Sequence, residues 1–169
     1  GYQKIDEVPF DFTRRRVSVV VDYEKQRVMV AKGAPEEIVK VCSYCEHKGH
    51  VFDLTGGLQK KIEQKYYDLS VEGFRVLGVS YKKIKEQKQV HSISDESDMV
   101  FLGFVAFIDP PKETARGSLQ LLGKAGVELK ILTGDNELVT KKTCEQLNFE
   151  IKGVVLGKDI ALMHDDALA

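Results

Sequence analysis

Two clusters of side chains in this sequence have the composition of a phosphate-binding site. The first is Thr133-Gly134-Asp135, which follows an apolar run ending at Leu132. A hydroxyl, a flexible residue and a carboxylate at the end of a strand can hold phosphate and Mg²⁺ at the carboxyl edge of an α/β sheet. Asp135 and Asn136 could equally be helix N-caps, so the residues alone leave both interpretations open.

The second cluster combines an aromatic ring with basic residues, namely Phe10, Arg15, Lys32, Gly33 and Arg75. An aromatic face can stack on adenine, which is worth roughly 1–3 kcal/mol. Lysine and arginine can neutralise phosphates, and a glycine lets a ligand approach the backbone closely. Each residue also has an ordinary structural interpretation. The ring can be a core aromatic, the arginine run a solvated strand edge, and Lys32-Gly33 a turn.

A third group, Cys42, Cys45, His47 and His50, contains the ligand types that bind zinc. Its spacing is shorter than that of zinc fingers, which separate their ligand pairs by about 12 residues. A buried thiol with exposed loop histidines is the alternative. Neither a Walker A motif nor a GxGxxG motif occurs, so any nucleotide site is built without a P-loop.

Composition limits the possible classes of protein. The 169 residues are 43% hydrophobic and 30% charged, which is typical of a folded, soluble chain. A net charge of −1 gives no general attraction to nucleic acid, so we expect no nucleic-acid partner. The odd number of cysteines, three, argues against a disulfide framework. The longest apolar run, Met99–Ile108, is shorter than the roughly 20 residues of a membrane-spanning helix.

The elements that must position these residues fall into two parts that meet near Asp109-Pro110-Pro111, where a double proline interrupts the chain. Before it, β-branched and aromatic runs predict strands, and apolar residues at helical spacing predict helices. The expected strands are Arg16–Tyr23, Gln26–Lys32, Arg75–Tyr81 and Phe101–Ile108; the helices are Glu36–Tyr44 and Leu58–Val71; Lys85–Asp98 is a loop. This part is α+β, with a mainly antiparallel sheet and flanking helices.

After the prolines the pattern alternates between helix and strand, which is the rhythm of a parallel α/β sheet. The expected elements are the helices Lys112–Ala125 and Asn136–Leu147 and the strands Val127–Leu132 and Val154–Leu156. This second part is too short to complete such a sheet. We therefore expect domains at residues 1–109 and 110–169.

The order of these motifs resembles the P-type cation-transporting ATPases. The matching stretches are PFDFTRRRVSVVV (9–21), KGAPE (32–36), GFRVLGVS (73–80), and DPPKET (109–114) with LTGDN (132–136). The first stretch, DPPKET and the acidic lead Asp95-Glu96-Ser97-Asp98 are most similar to the bacterial magnesium-transporting branch.

This resemblance implies that residues 1–109 are a nucleotide-binding (N) domain that lacks its first helices. Residues 110–169 would be part of a phosphorylation (P) domain of haloacid-dehalogenase-like fold. The family's Asp-Lys-Thr-Gly-Thr motif, with its phosphorylated aspartate, is missing from this sequence. No catalytic residue is therefore expected in this chain, which should bind nucleotide without turnover.

The resemblance also implies roles for the first cluster of binding residues. Phe10 would stack on adenine, and Arg15 would lie near the phosphates. Lys32 and Gly33 would line the depth of the adenine pocket, while Arg75 would reach from the N domain to the phosphate chain. Calcium pumps carry an arginine two residues after the stacking phenylalanine, where this sequence has another phenylalanine.

In the second part, Asp109 would lie at the hinge between the domains. Thr133, Gly134 and Asp135 would contact the γ-phosphate region, with Asp135 an indirect contact of Mg²⁺. The implied cofactors are thus ATP and Mg²⁺.

The function implied is ATP hydrolysis coupled to magnesium transport. The partners would be ATP and the rest of the same polypeptide, namely its P domain, actuator domain and membrane helices. The chain would be a cytoplasmic domain of an integral protein of the cell membrane. One alternative is the same domain from a calcium or other cation pump. An alternative of another class is a small zinc-binding interaction module.

Overall fold

The computed structural model describes residues 1–24, 26–85 and 88–163. Residues 86 and 87 of the expected loop, and the last six residues of the expected second domain, lie outside the described residues. The chain divides into two compact units. The first contains Gly1–Leu69 and Val76–Phe107, and the second contains Ser70–Arg75 with the chain from Ile108 onward.

A seven-stranded sheet forms the first unit, in the order β1-β2-β3-β6-β7-β4-β5. Its strands are β1 (Gln3–Asp11), β2 (Arg16–Tyr23), β3 (Gln26–Gly33), β4 (Cys42–His47), β5 (His50–Asp53), β6 (Arg75–Ile84) and β7 (Met99–Phe107). Antiparallel ladders join β1 to β2, β2 to β3, β3 to β6 and β4 to β5. Strand β4 pairs in parallel with β7. The expected α+β fold with a mainly antiparallel sheet is confirmed.

Two helices accompany this sheet, α1 (Pro35–Lys40) and α2 (Gly56–Val71). Proline fits the first turn of α1, where its missing N–H is not needed. The helix expected over Glu36–Tyr44 ends early, because the chain from Cys42 pairs its backbone with β7 and β5. A short 3-10 helix, Ile93–Asp95, lies in the segment expected to be a loop.

The core lies on one face of the sheet and follows the two-residue alternation of the strands. On β2 and β3, Ser18 lies opposite Ala31 and Val20 lies opposite Met29, and all four are fully buried. Ile38 of α1, with Met99 and Phe101 of β7, completes the apolar cluster. This packing fixes the register of β2 and β3, because a slip of one residue would turn the buried side chains toward solvent.

The second unit contains the helices α3 (Glu113–Lys124), α4 (Glu137–Leu147) and α5 (Gly157–Ile160). The first two confirm the expected helices. The strands expected over Val127–Leu132 and Val154–Leu156 are not formed, since these described segments make no ladder with a neighbour. Across the described residues, no helix has the length and apolar content needed to span a membrane.

Candidate functional site

Phe10 lies near the end of β1 with its ring exposed to solvent. The residue is 53% exposed, which excludes the core-aromatic interpretation. The ring packs edge-on against Phe12, with 5.3 Å between centroids and an interplanar angle of 87°. One side of Phe10 borders a shallow depression of about 600 Å³, whose other walls include Val8, Arg14, His91 and Ile93. Phe10 is thus available to stack on a planar ligand.

The strand ladders place Phe10 and Lys32 at the same end of the sheet. Asp11 lies opposite Arg16 on β2, and Arg16 lies opposite Gly33 on β3. Adjacent strands are about 4.8 Å apart, so Asp11 and Gly33 are separated by about 10 Å. Phe10 and Lys32 are the chain neighbours of these two residues and lie at the same end of the sheet. Lys32 is exposed and, among the described residues, pairs with no acidic group.

Gly33 is held in a close approach between two backbones. A Cβ atom at this position would lie 2.3 Å from the carbonyl oxygen of Arg15 and 2.5 Å from Cβ of Arg16. The Ala34 N–H donates to the same Arg15 oxygen at 2.9 Å, which holds the two segments together. Close packing against the β1–β2 turn is therefore enough to explain why this position is glycine. The expected contribution of Gly33 to a nucleotide pocket stays a prediction.

Arg15 occupies the turn between β1 and β2 in the left-handed conformation, with φ of 47°. Its guanidinium donates to Glu36 at 2.8 Å and to Glu37 at 3.3 Å, both on α1. Burial tends to lower the pKa of Arg15, but the two carboxylates raise it overall. A phosphate ligand would have to replace these carboxylates. Sequence reasoning missed this contact, although two acidic residues directly after Lys-Gly-Ala-Pro were a visible signal.

The neighbouring arginines are not a solvated strand edge, as one interpretation of the sequence had it. Arg14 and Arg16 are largely buried, and both donate to the carboxylate of Glu96, at 2.7 and 2.8 Å. The Ser18 hydroxyl donates to the same carboxylate at 2.6 Å. No local pattern could have revealed this cluster, because Glu96 lies about 80 residues away in the sequence.

In the second unit, Arg75 contacts two of the other predicted residues. Its guanidinium donates to Asp135 at 2.6 Å and lies 3.2 Å from a carboxylate oxygen of Asp109. The hydrogen bond and charge of Asp135, followed by the charge of Asp109, raise the pKa of Arg75. Arg75, Asp109 and Asp135 thus form one ion-pair cluster.

The Thr-Gly-Asp turn is ordered by its own hydrogen bonds. The Asp135 N–H donates to the Thr133 hydroxyl at 3.0 Å, while Gly134 lies in open space. Asn136 caps α4 by accepting from the Leu138 N–H at 2.8 Å. The open question of the N-cap is thereby settled in favour of Asn136, and the Asp135 carboxylate faces Arg75.

The carboxylates of Asp109 and Asp135 are the type of donor that Mg²⁺ prefers. Mg²⁺ is commonly held by one or two carboxylates together with substrate phosphates, and this donor set fits that pattern. Within the described ranges, no group of three or more His, Cys, Asp or Glu residues is arranged to hold a metal. Asp135 would therefore contact Mg²⁺ only with phosphate oxygens also present.

The cysteine and histidine group does not converge on one point. Cys42 and Cys45 are buried in the core, and the Cys42 thiol donates to the Ile38 carbonyl at 3.1 Å. Burial raises the pKa of Cys42 to about 12, which opposes the thiolate that zinc requires. His47 and His50 face each other across the β4–β5 hairpin. These observations favour the interpretation as buried thiols with exposed histidines.

Comparison with known proteins agrees with the motifs. Residues 1–114 match the family model described as "P-type ATPase, cytoplasmic domain N". The chain therefore belongs to the P-type ATPase family, as the resemblance implied.

Among its relatives are bacterial magnesium-transporting ATPases. The chain is 43% identical over 169 residues to the magnesium-transporting ATPase, P-type 1, of Escherichia coli K12, a match that covers 99% of this chain and 19% of that protein. The protein of the same name in Salmonella typhimurium LT2 is 41% identical with the same coverage. The calcium-transporting ATPase 3, endoplasmic reticulum-type, of Arabidopsis thaliana is 30% identical, covering 86% of this chain and 15% of that protein. The chain spans about a fifth of the length of the magnesium-transporting relatives.

Proposed function

We propose that this chain is the ATP-binding part of a magnesium-translocating P-type ATPase. Residues 1–109 bind the nucleotide, and residues 110–169 belong to the phosphorylation domain that receives its γ-phosphate. The observation that carries the proposal is the exposed ring of Phe10, which lies at the same end of the sheet as the exposed Lys32. The 43% identity to a magnesium-transporting ATPase supports the choice of ion, and the calcium-transporting relatives keep calcium as the alternative.

Recognition of ATP combines stacking with charge. The adenine ring lies on Phe10, which contributes roughly 1–3 kcal/mol. The Lys32 ammonium reaches the ligand as a point charge, whereas Arg15 can offer a planar fork to a phosphate once it leaves Glu36. Exchanging a carboxylate partner for phosphate oxygens yields little net free energy, since Arg15 is half exposed. We therefore expect weak binding, with a Kd near millimolar, or about −4 kcal/mol.

In the whole protein, the N domain brings ATP to an aspartate of the phosphorylation domain that this chain does not contain. Asp109 lies at the hinge, and Thr133, Gly134 and Asp135 face the γ-phosphate after closure. Arg75 exchanges its carboxylate partners for the phosphate chain, which leaves Asp135 free to contact Mg²⁺. Bound Mg²⁺ supplies positive charge that neutralises the charge developing on the phosphoryl group. Positioning for in-line transfer is the main contribution of these residues.

The remaining partners are parts of the same polypeptide. The actuator domain and the membrane helices complete the pump, and the chain lies on the cytoplasmic side of the cell membrane. Transport of Mg²⁺ or Ca²⁺ by the full-length protein, reconstituted in vesicles, decides between the two ions.

Substitution of Phe10 by alanine tests the proposal. We expect Phe10→Ala to weaken ATP binding about tenfold, which corresponds to 1.4 kcal/mol of lost stacking. Phe52→Ala is the matched control, because Phe52 is 51% exposed and lies on β5, at the other end of the strand order. Affinities are measured by titration of the 169-residue chain with ATP. Equal affinities for the two variants would refute the stacking role.

A further inference from the structure

We propose that Glu96 is a positioning residue for the nucleotide site, since it fixes the β1–β2 turn, which carries Arg15 and follows Phe10. The inference rests on the proposed ATP-binding function. It adds Glu96, a residue that none of the motifs assigned to nucleotide contact contains. Glu96 does not touch the ligand in this account, and it acts through the arginines on either side of Arg15.

The carboxylate of Glu96 is completely buried and binds three side chains. Oε2 accepts from Arg14 at 2.7 Å and from Arg16 at 2.8 Å, and Oε1 accepts from Ser18 at 2.6 Å. Hydrogen bonds between charged groups are stronger and more demanding in geometry than neutral ones. One carboxylate therefore fixes the positions of two arginines at the start of β2.

These contacts reach the proposed binding residues directly. Arg14 also donates to the Pro9 carbonyl at 2.6 Å, which fixes the backbone immediately before Phe10. Arg14 and Arg16 are both directed to Glu96, and the residue between them has the left-handed conformation. The guanidinium of Arg15 is then directed to Glu36 on α1 and not to Glu96.

Glu96 is itself held in place by the segment that precedes it. The His91 N–H donates to Asp6 on β1 at 2.6 Å. Asp95 accepts from the Ser92 N–H at 2.8 Å and closes the capping box of the 3-10 helix. Beyond Glu96, the Lys82 ammonium donates to the Ser97 carbonyl at 2.9 Å. The carboxylate thus projects from a short, doubly anchored segment.

A role in positioning explains why a charged group is buried here. Replacing a buried ion-pair cluster by apolar residues is often neutral or stabilising, so such clusters are weak contributors to stability. The burial of Glu96 is better explained by the fixed arrangement that it imposes on the turn. The arrangement affects ligand affinity, whereas a purely structural ion pair would affect only the stability of the fold.

Glu96→Gln in the 169-residue chain is the test, because glutamine keeps the shape and removes the charge. At a temperature where the variant is folded, we expect its Kd for ATP to rise about tenfold. The Cα chemical shift of Arg15 should also move away from its left-handed value in the absence of nucleotide. Asp22→Asn is the control, since it removes a two-bond pair with Arg27 at the opposite end of β2 and β3. This control should lower stability and leave the Kd unchanged.

Two results would overturn the proposal. One is a folded Glu96→Gln variant that binds ATP within twofold of the original chain, and the other is a Kd that rises equally in the Asp22→Asn control. If Glu96→Gln does not fold, Arg14→Gln decides, with weaker binding in support and unchanged binding against. Failure of the proposed function gives a different result, in which Phe10→Ala itself leaves ATP binding unaltered.

Discussion

Replacing Gly33 by alanine tests the geometry of the sheet end most sharply. The added Cβ atom would lie 2.3 Å from the Arg15 carbonyl oxygen and 2.7 Å from Cα of Arg16. Both are backbone atoms, so no rotation of a side chain can relieve the contact. The β1–β2 turn would have to move away from β3, breaking the hydrogen bond from Ala34 to Arg15.

Two opposing free-energy terms determine how much Gly33→Ala lowers the free energy of unfolding. Overpacking in a well-packed site costs about 1–3 kcal/mol, and a contact with backbone places Gly33→Ala at the upper end. Alanine also reduces the entropy of the unfolded chain, which stabilises by about 0.4–1 kcal/mol. The expected net loss in the free energy of unfolding is therefore about 2–2.5 kcal/mol.

Two other glycines provide a graded comparison. At Gly78 the added atom meets only the side chain of Ile38, at 3.0 Å or more, and we expect a loss of about 1 kcal/mol. At Gly57, in the first turn of α2, nothing lies within 4 Å, and alanine should stabilise by about 0.5–1 kcal/mol. Urea denaturation followed by circular dichroism gives all three values. A Gly33→Ala variant as stable as Gly57→Ala would show that the β1–β2 turn does not pack closely against Gly33.

Three further predictions concern other parts of the chain. Burial raises the pKa of Cys42 to about 12, so this thiol should resist alkylation at pH 8 in the folded chain and react in urea. Mass spectrometry can follow the labelling, and rapid labelling without urea would contradict the burial of Cys42. Asn136→Ala should destabilise α4 by about 1 kcal/mol through loss of its cap, measured by denaturation against Gln146→Ala at an exposed position in the last turn of the same helix. The Arg27 hydrogen bond lowers the pKa of Asp22 below 3.8, so its contribution is present above that pH and lost as the pH falls through the lowered pKa. The difference in stability between the original chain and Asp22→Asn should accordingly shrink from pH 7 to pH 3, and a constant difference would exclude this linkage.

The local sequence pattern was sufficient to predict the elements that bury one regular face. Strands β2 and β3 and helix α2 follow the alternations that predicted them. Strand β1 escaped prediction because its sequence, QKIDEVPFD, is mixed and largely exposed, and its pairing with β2 alone makes it a strand. Strand β4 was mistaken for the end of a helix, since its parallel partner β7 is more than 50 residues distant in the chain.

The residues of the candidate site also fall into those that the sequence could predict and those that depend on distant partners. The types of residue identified Phe10 and Lys32, and the exposure of both agrees with a binding role. The acidic partners of Arg15 were visible in the sequence, but their contact with it was missed. The partners of Arg75 could not be read from the sequence, because its ion pairs depend on how separate segments meet. Glu96 was recognised only as part of an acidic segment, whereas folding places its carboxylate between two arginines.

A residue-resolved titration with ATP shows whether the nucleotide binds at the end of the sheet that carries Phe10 and Lys32. The amide resonances of the isotopically labelled chain would be followed by NMR up to about 10 mM ATP, tenfold above a millimolar Kd. The largest shifts should occur at Phe10, Arg15 and Lys32, with no change at Phe52 in the β4–β5 hairpin. Shifts centred on that hairpin, or no shifts at any residue, would contradict nucleotide binding at the Phe10 end of the sheet.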